Sequence, residues 1–192
     1  MTQPATSLDA TLAVAASVVE VLAQHGAEAL IIGAMALAVH RYPRDTVDLD
    51  LATAIDPREL LAIAQELRAT GLEVQVHLPD AEDPLGGVID VRGEGADLVQ
   101  VVNFLNPPAG GFPRLVADAS ATATPLIPGK PLKVVDLATL VVFKLYAGGS
   151  KSRLDVLELL ARNPELDLEQ LRARCREYGL EGELDGVLGM AR

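Results

Sequence analysis

Two carboxylates at alternate positions of one apolar run are the residues best suited to chemistry in this sequence. Asp48 and Asp50 alternate with apolar residues in the segment V-D-L-D-L. Because successive side chains of a strand point to opposite faces, the two acids share one face. Neighbouring carboxylates repel each other, and water or a cation relieves that repulsion. A solvated acidic edge strand is the simpler explanation of this pattern taken alone, so the flanking segments must decide.

The segment before the acids favours a divalent-metal site for phosphoryl or nucleotidyl transfer. An apolar strand is predicted over 29–32, Gly33 breaks it, and a helix is predicted over 35–42 up to Pro43. The free N–H groups at a helix N-terminus favour phosphate binding. Mg²⁺ prefers a few carboxylates together with substrate phosphates. Two such ions about 3.5–4 Å apart can stabilise the attacking and leaving oxygens of a displacement.

The stretch from Gly33 to Asp50 also resembles a known superfamily. It reads G-A-x-A and then R-x-T-x-D-x-D, with Arg44 opening the second motif. This combination resembles the polymerase-beta-like nucleotidyltransferases, most closely the minimal bacterial members, which include the abortive-infection (AbiEii) type toxins. The resemblance implies metal binding by Asp48 and Asp50, nucleotide binding at Gly33 and Ala34, and Arg44 in the nucleotide site as a brace for the acid strand. The sequence departs from the superfamily at Ala34, where a second glycine or a serine is usual.

A second block of the resemblance lies between residues 136 and 160. Lys144 and Asp155 fall on the lysine and aspartate of the K-L-x-A-x-x-x-R-x-x-x-D segment of the minimal toxins. Lys144 follows the apolar run L-V-V-F, so its charge needs a partner or a route to solvent. Asp155 could be that partner in a structural ion pair between two helices. The resemblance instead implies that both belong to the catalytic site, with Lys144 neutralising a substrate triphosphate.

Three residues are candidates for the third position of the site. Two-metal nucleotidyl transfer in this superfamily usually takes a third acid from a neighbouring strand, as the base for the acceptor hydroxyl. Aligning V-Q-V-V-N-F-L with the family's V-D-L-L places the neutral Gln100 there. Asp97 faces the other side of a regular strand and would need a bulge or a shifted register to act as the base. Asp90, on the preceding strand, is the other candidate. With Gln100 at the third position, one metal ion and weak or absent transfer are expected.

Composition limits the partners and the compartment. The 192 residues carry a net charge of −11 with a pI of about 4.6, which argues against tight nonspecific nucleic-acid binding. Cys175 is the single cysteine and cannot form an internal disulfide, which fits the reducing cytoplasm. No apolar run reaches transmembrane length, so a cytoplasmic protein without membrane contact is expected. Hydrophobic content of 49% supports a substantial core.

The predicted fold is α/β (α+β), with a nucleotidyltransferase-like mixed sheet flanked by helices over 1–130 and a helical C-terminal part over 131–192. Strands are predicted over 72–78, 88–92 and 98–105, and short extended pieces over 121–127 and 132–135. The final helix is predicted over 184–190.

The resemblance implies transfer of a nucleoside monophosphate from an NTP to a hydroxyl of an RNA or protein acceptor, with pyrophosphate released. It implies Mg²⁺ as the cofactor, with two ions if a third carboxylate is present. A toxin–antitoxin role with a cognate antitoxin is a further implication. The alternative is a degenerate, non-catalytic nucleotidyltransferase fold that binds a nucleotide or a protein.

Overall fold

A computed structural model describes residues 7–79, 85–106 and 110–190 and confirms the mixed α/β prediction. Over these residues the helices are α1 (Leu8–Gln24), α2 (Gly33–Val39), α3 (Leu60–Ala69), α4 (Pro113–Thr122), α5 (Leu137–Ala147), α6 (Gly149–Arg162), α7 (Leu168–Glu177) and α8 (Glu181–Met190). The strands are β1 (Ala29–Ile31), β2 (Asp48–Thr53), β3 (Glu73–His77), β4 (Val88–Arg92), β5 (Leu98–Asn103), β6 (Leu105–Asn106), β7 (Gly110–Gly111), β8 (Thr124–Pro125) and β9 (Lys133–Val134).

Seven of the described strands form one mixed sheet in the order β3-β4-β5-β2-β1-β9-β8. The pairs β2–β5 and β1–β9 are parallel, and the other neighbours are antiparallel. The strand β2, which carries both acids, therefore lies inside the sheet rather than at its edge. This placement removes the solvated edge strand as an explanation of the D-x-D pattern.

The alternation along β2 and β5 separates a buried face from an open polar face. Leu49, Leu51, Val99 and Val101 are 2% exposed or less, and α1 and α3 pack on this side of the sheet. Asp48, Asp50 and Gln100 point the other way and are half-buried, whereas Ala52, further along the same face of β2, is buried. The prediction that Asp48 and Asp50 share one face is therefore confirmed, and the buried leucines and valines hold that orientation.

The helix α4 is the main element that the sequence prediction missed. The sequence predicts an extended piece over 121–127 and no helix before it, but the helix runs to Thr122, and only Thr124–Pro125 is extended. Pro113 occupies the first turn, where its missing N–H costs nothing, and Leu115, Val116 and Ala119 are buried at helical spacing. Those apolar residues pack beside β1 and β2. Contacts with the sheet therefore stabilise this helix, although many of its residues are polar or small.

Several boundaries also differ from the prediction. The helix α2 ends at Val39 rather than at residue 42, because Arg41 adopts a positive φ of 67°. The helix α8 begins at Glu181 rather than at 184. The sheet continues past residue 130 to β9, and the division into parts at 130/131 stays a prediction.

None of the helices over the described residues is long and apolar enough to cross a membrane.

Candidate active site

The two acids of β2 form the negatively charged centre of the site. The Thr46 hydroxyl donates a hydrogen bond to an Asp48 carboxylate oxygen and thereby holds that side chain. Burial raises the pKa of Asp50 to about 6, and the Asp48 carboxylate contributes to the rise, while Lys144 and Arg44 oppose it. Asp50 is therefore a desolvated carboxylate beside a second one, and a bound cation would stabilise its charged form.

Gly33 sits against the Asp50 carboxylate at the start of α2. Its φ is +63°, and a Cβ built on it would lie 1.7 Å from Asp50 Oδ2. Only glycine allows this close approach together with this backbone conformation. No side chain caps the N-terminus of α2, and the first-turn N–H groups at Gly33 and Ala34 lie next to the Asp50 carboxylate.

Replacing Gly33 by alanine is expected to disrupt the site more than the fold. The strained backbone should cost roughly 1–3 kcal/mol of unfolding free energy, and the new methyl group must displace the Asp50 carboxylate. Gly129→Ala is the matched control, because Gly129 has a φ of +77° and a Cβ there would meet nothing within 4 Å. Thermal unfolding of both variants and nucleotide binding are measured. Equal nucleotide affinity in Gly33→Ala and Gly129→Ala would contradict this role of Gly33.

A largely buried charge cluster lies close to Asp50. Lys144 Nζ, on α5, donates a hydrogen bond of 2.8 Å to Asp155 Oδ2 on α6, and these side chains are 12% and 3% exposed. Arg44 Nη2 lies 3.7 Å from the same carboxylate oxygen. Lys144 lines one cavity with Asp50 and Gly33. The structure thus places Lys144 near Asp50 of β2. The Asp155 carboxylate contacts both Lys144 and Arg44 and holds these two cations in place.

Removing Asp155 is expected to destabilise the protein strongly, because it leaves two cations without their shared partner. Asp155→Ala should lower the unfolding free energy by about 3 kcal/mol, as for other broken buried pairs. Glu183→Ala is the control: it breaks an ion pair with Arg153 in which both side chains are 48% exposed, and it should cost below about 1 kcal/mol. Chemical denaturation of both variants measures the difference. Similar losses in the two variants would show that the cluster behaves as a surface ion pair.

An apolar cavity of about 330 Å³ extends from the acid and the lysine toward the helices. Phe104 and Phe143 meet edge to face in its wall, with ring centroids 5.0 Å apart. Its other lining residues are mainly apolar: Ile32, Leu85, Val102, Leu140, Tyr146 and Ala147. Sequence analysis missed this cavity, because its walls come from β5, its following residues and α5. Such walls suit a flat ring held beside the charged groups.

Gln100 lies beside Asp50 on the open face, on the strand from which the sequence resemblance implies a third carboxylate. The strand register pairs Asp50 with Gln100 and Gln100 with Asp90, so the three side chains form one row on the open face. Gln100 Nε2 donates a hydrogen bond of 2.9 Å to Asp90 Oδ1. His77 Nε2 lies 3.1 Å from Asp90 Oδ2. Asp90 is therefore separated from the acid strand by Gln100.

Asp97 is not brought to this site. The strand β5 is paired with β2 at every position from Leu98 to Asn103, without a bulge, so Asp97 lies just before it and faces away from Gln100. Its backbone N–H donates to the Thr11 hydroxyl on α1. Asp97 lines a different cleft, which shares no residue with the cavity of Gly33, Asp50 and Lys144. The regular register is the physical reason for this placement.

The donor set suits one divalent cation. Among the residues that the structure describes, no cluster of three or more His, Cys, Asp or Glu side chains could hold a metal ion. Asp48 and Asp50 remain as a pair of carboxylates on one strand face. Two carboxylates completed by substrate phosphates and water are a common Mg²⁺ arrangement.

Comparison with known proteins identifies the fold. No family model matches the chain, and no curated protein matches it significantly. The crystal structure of an antigenic nucleotidyltransferase-like protein from Paracoccidioides brasiliensis is similar, with a TM-score of 0.52 and 16% identity over 96% of this chain and 94% of that chain. The protein therefore has a nucleotidyltransferase-like fold.

Two further solved structures are similar at a lower level. The solution structure of the antibiotic-resistance factor ANT(2'')-Ia gives a TM-score of 0.49 and 16% identity over 95% of this chain and 96% of that chain. The lincosamide antibiotic adenylyltransferase LnuA gives a TM-score of 0.49 and 13% identity over 81% of this chain and 97% of that chain. The more specific resemblance to abortive-infection toxins stays a prediction.

Proposed function

We propose that the protein is a Mg²⁺-dependent nucleotidyltransferase that moves a nucleoside monophosphate from an NTP to a hydroxyl acceptor. The observation that carries the proposal is the convergence of Gly33, Asp50 and Lys144 on one cavity, with Asp48 on the same strand face as Asp50. A phosphate-binding turn, paired carboxylates and a buried cation are the groups that this chemistry requires. The nucleotidyltransferase-like fold supports the same conclusion.

Each group has a distinct task in the reaction. Asp48 and Asp50 hold the cation, while the N–H groups at Gly33 and Ala34 and the Lys144 ammonium bind phosphate oxygens. When bound, Mg²⁺ neutralises charge on the phosphates and polarises the reacting phosphorus. The acceptor hydroxyl loses its proton to solvent water, and its oxygen forms a bond to the α-phosphorus. The bond from that phosphorus to the bridging oxygen breaks, and pyrophosphate leaves.

The surrounding residues orient these groups. Asp155 holds Lys144 and Arg44 through one carboxylate oxygen, so the cationic side of the site is rigid. The apolar cavity beside Lys144 is placed to receive the nucleobase and to exclude water from it. The acceptor is an RNA or protein hydroxyl, and it approaches from the open face of the sheet, where Gln100 and Asp90 lie.

A second candidate function is nucleotide or protein binding without transfer. The observation that favours it is Gln100, because a neutral amide cannot take the proton of an acceptor hydroxyl. In this case the cation, the phosphates and the nucleobase bind as above, but no nucleotide is transferred. A product assay separates the two functions, because binding alone leaves the NTP intact.

The biological setting proposed from the sequence resemblance is a cytoplasmic toxin–antitoxin pair. It predicts that expression of the chain slows bacterial growth and that a co-expressed neighbouring gene product relieves the effect. It also predicts that Asp48→Asn/Asp50→Asn loses the growth effect. Growth arrest that persists in this double variant would separate toxicity from the proposed chemistry.

The decisive assay is incubation with each of the four α-labelled NTPs, Mg²⁺ and either total RNA or total protein. The proposal expects label in one acceptor fraction, dependent on Mg²⁺ and lost in Asp48→Asn/Asp50→Asn. Label that persists in the double variant would contradict it. Binding of the NTP to the wild-type protein without any labelled product would favour the binding module.

A further inference from the structure

The amide of Gln100 has a defined orientation on the open face of the sheet. Its Nε2 donates to Asp90 Oδ1 at 2.9 Å, and a carboxylate can only accept in such a bond. The carbonyl oxygen Oε1 is therefore the end of the amide that does not face Asp90. Among the described residues Oε1 accepts no hydrogen bond. Asp50 and Asp90 flank Gln100 on the two neighbouring strands, so Oε1 is the amide atom on the side of Asp50.

Asp90 is itself held in place. Its second oxygen, Oδ2, lies 3.1 Å from His77 Nε2 on β3. The Asp90 side chain is 23% exposed, against 50% for His77. With both oxygens engaged, Asp90 is unsuited to binding a cation directly, and it acts on the site through the Gln100 amide.

We infer that Gln100 supplies its amide oxygen Oε1 as a neutral third ligand for the cation at Asp48 and Asp50, and that Asp90 is the residue that positions it. This inference rests on the proposed metal-dependent nucleotide site. Amide carbonyl oxygens are suitable ligands for hard divalent cations. Partners that orient a ligand typically change metal affinity about 10–100-fold when they are removed.

The charge of the site follows from this ligand set. A third carboxylate would bring three negative charges to the strand face, whereas Gln100 brings two carboxylates and a neutral oxygen. Two negative charges match one divalent cation, and the largely buried Lys144 and the half-buried Arg44 already lie near Asp50. The site is thus arranged for one ion that binds together with the nucleotide phosphates.

The test measures Mn²⁺ affinity by electron paramagnetic resonance in the presence of a non-hydrolysable NTP. Gln100→Leu should weaken Mn²⁺ binding about 10-fold or more, because it removes Oε1. Asp90→Leu should weaken it as well, because the amide is no longer held. Asp90→Asn should bind Mn²⁺ with wild-type affinity, because the side-chain carbonyl oxygen of the new asparagine can still accept the hydrogen bond from Gln100. This rescue separates positioning from a merely structural effect, and circular dichroism verifies that each variant is folded.

Gln75→Leu is the matched control. Gln75 is the exposed cross-strand neighbour of Asp90 on the side away from Gln100, and this variant should bind Mn²⁺ as the wild type does. Wild-type affinity in folded Gln100→Leu would overturn the inference and leave the proposed function intact. Absence of Mn²⁺–nucleotide binding in the wild-type protein would instead overturn the proposed function.

Discussion

The double variant Asp48→Asn/Asp50→Asn is expected to lose metal-dependent nucleotide binding and to become more stable than the wild type at neutral pH. Binding is lost because neutral amides replace both carboxylates that hold the cation. Stability rises because the substitutions remove two like charges from one strand face, one of them largely desolvated. A gain of stability with a loss of binding is typical of residues kept for function rather than for folding. Isothermal titration with Mg²⁺ and an NTP analogue, together with chemical denaturation, measures the two effects.

The stability difference should depend on pH through Asp50. Its pKa rises from 3.8 in the unfolded chain to about 6 in the folded protein. Between these values the folded state binds the extra proton, so the wild-type unfolding free energy falls as the pH rises from about 4 to about 6. Above that window the penalty is complete and amounts to about 3 kcal/mol. The single variant Asp50→Asn should therefore match the wild type near pH 3 and exceed it above pH 6.

Asp45→Asn is the control for both effects. Asp45 is exposed and lies three residues before Asp48, outside the strand. This variant should keep nucleotide binding and follow the wild-type dependence of stability on pH. A double variant that still binds the nucleotide with Mg²⁺, while remaining folded, would contradict the assignment of Asp48 and Asp50 as metal ligands.

The second large effect is expected from Gln100→Asp, which restores a carboxylate next to Asp50. The wild-type protein should transfer nucleotide slowly, because no side chain at the third position accepts the proton of the acceptor hydroxyl. A positioned general base typically contributes about 10²–10⁴-fold. We therefore expect Gln100→Asp to increase the rate of labelled nucleotide transfer by roughly 100-fold. The rate is measured with the NTP and the acceptor fraction identified in the labelling assay.

Two control variants test whether the rate increase in Gln100→Asp depends on the position of the new carboxylate. Gln75→Asp places a new carboxylate on the same open face but two strands from Gln100, and it should leave the rate unchanged. Asp97→Asn should also leave it unchanged, because Asp97 lies in a separate cleft. A loss of transfer in Asp97→Asn would make Asp97 the base and would mean that β5 is irregular in solution. An unchanged rate in Gln100→Asp would contradict the role of the third position.

The parts of this site that follow local sequence rules could be predicted. The shared face of Asp48 and Asp50 depends only on the two-residue period of a strand, and Gly33 marks the break between β1 and α2. The resemblance added Lys144 and Asp155, which the structure places in one buried ion pair. These features need no knowledge of how distant strands pair.

The remaining parts depend on long-range pairing, which sequence period does not determine. The row of Asp50, Gln100 and Asp90 follows from the register of three strands, and a shift by one residue would have moved Gln100 to the buried face. The aromatic cavity needs α5 to pack near the end of β5. The helix α4 was missed because its first residues follow a segment rich in proline and glycine, and its burial comes from contacts with β1 and β2.

The most direct test of the central claim is the position of a metal ion in crystals grown with Mn²⁺ and a non-hydrolysable NTP. Anomalous diffraction at the manganese edge locates the ion independently of any assay. We expect a peak between the carboxylates of Asp48 and Asp50, with the phosphates of the nucleotide extending toward Gly33 and Lys144. A nucleotide bound in the cavity with no peak at these carboxylates, or a peak at another set of acids, would contradict the claim.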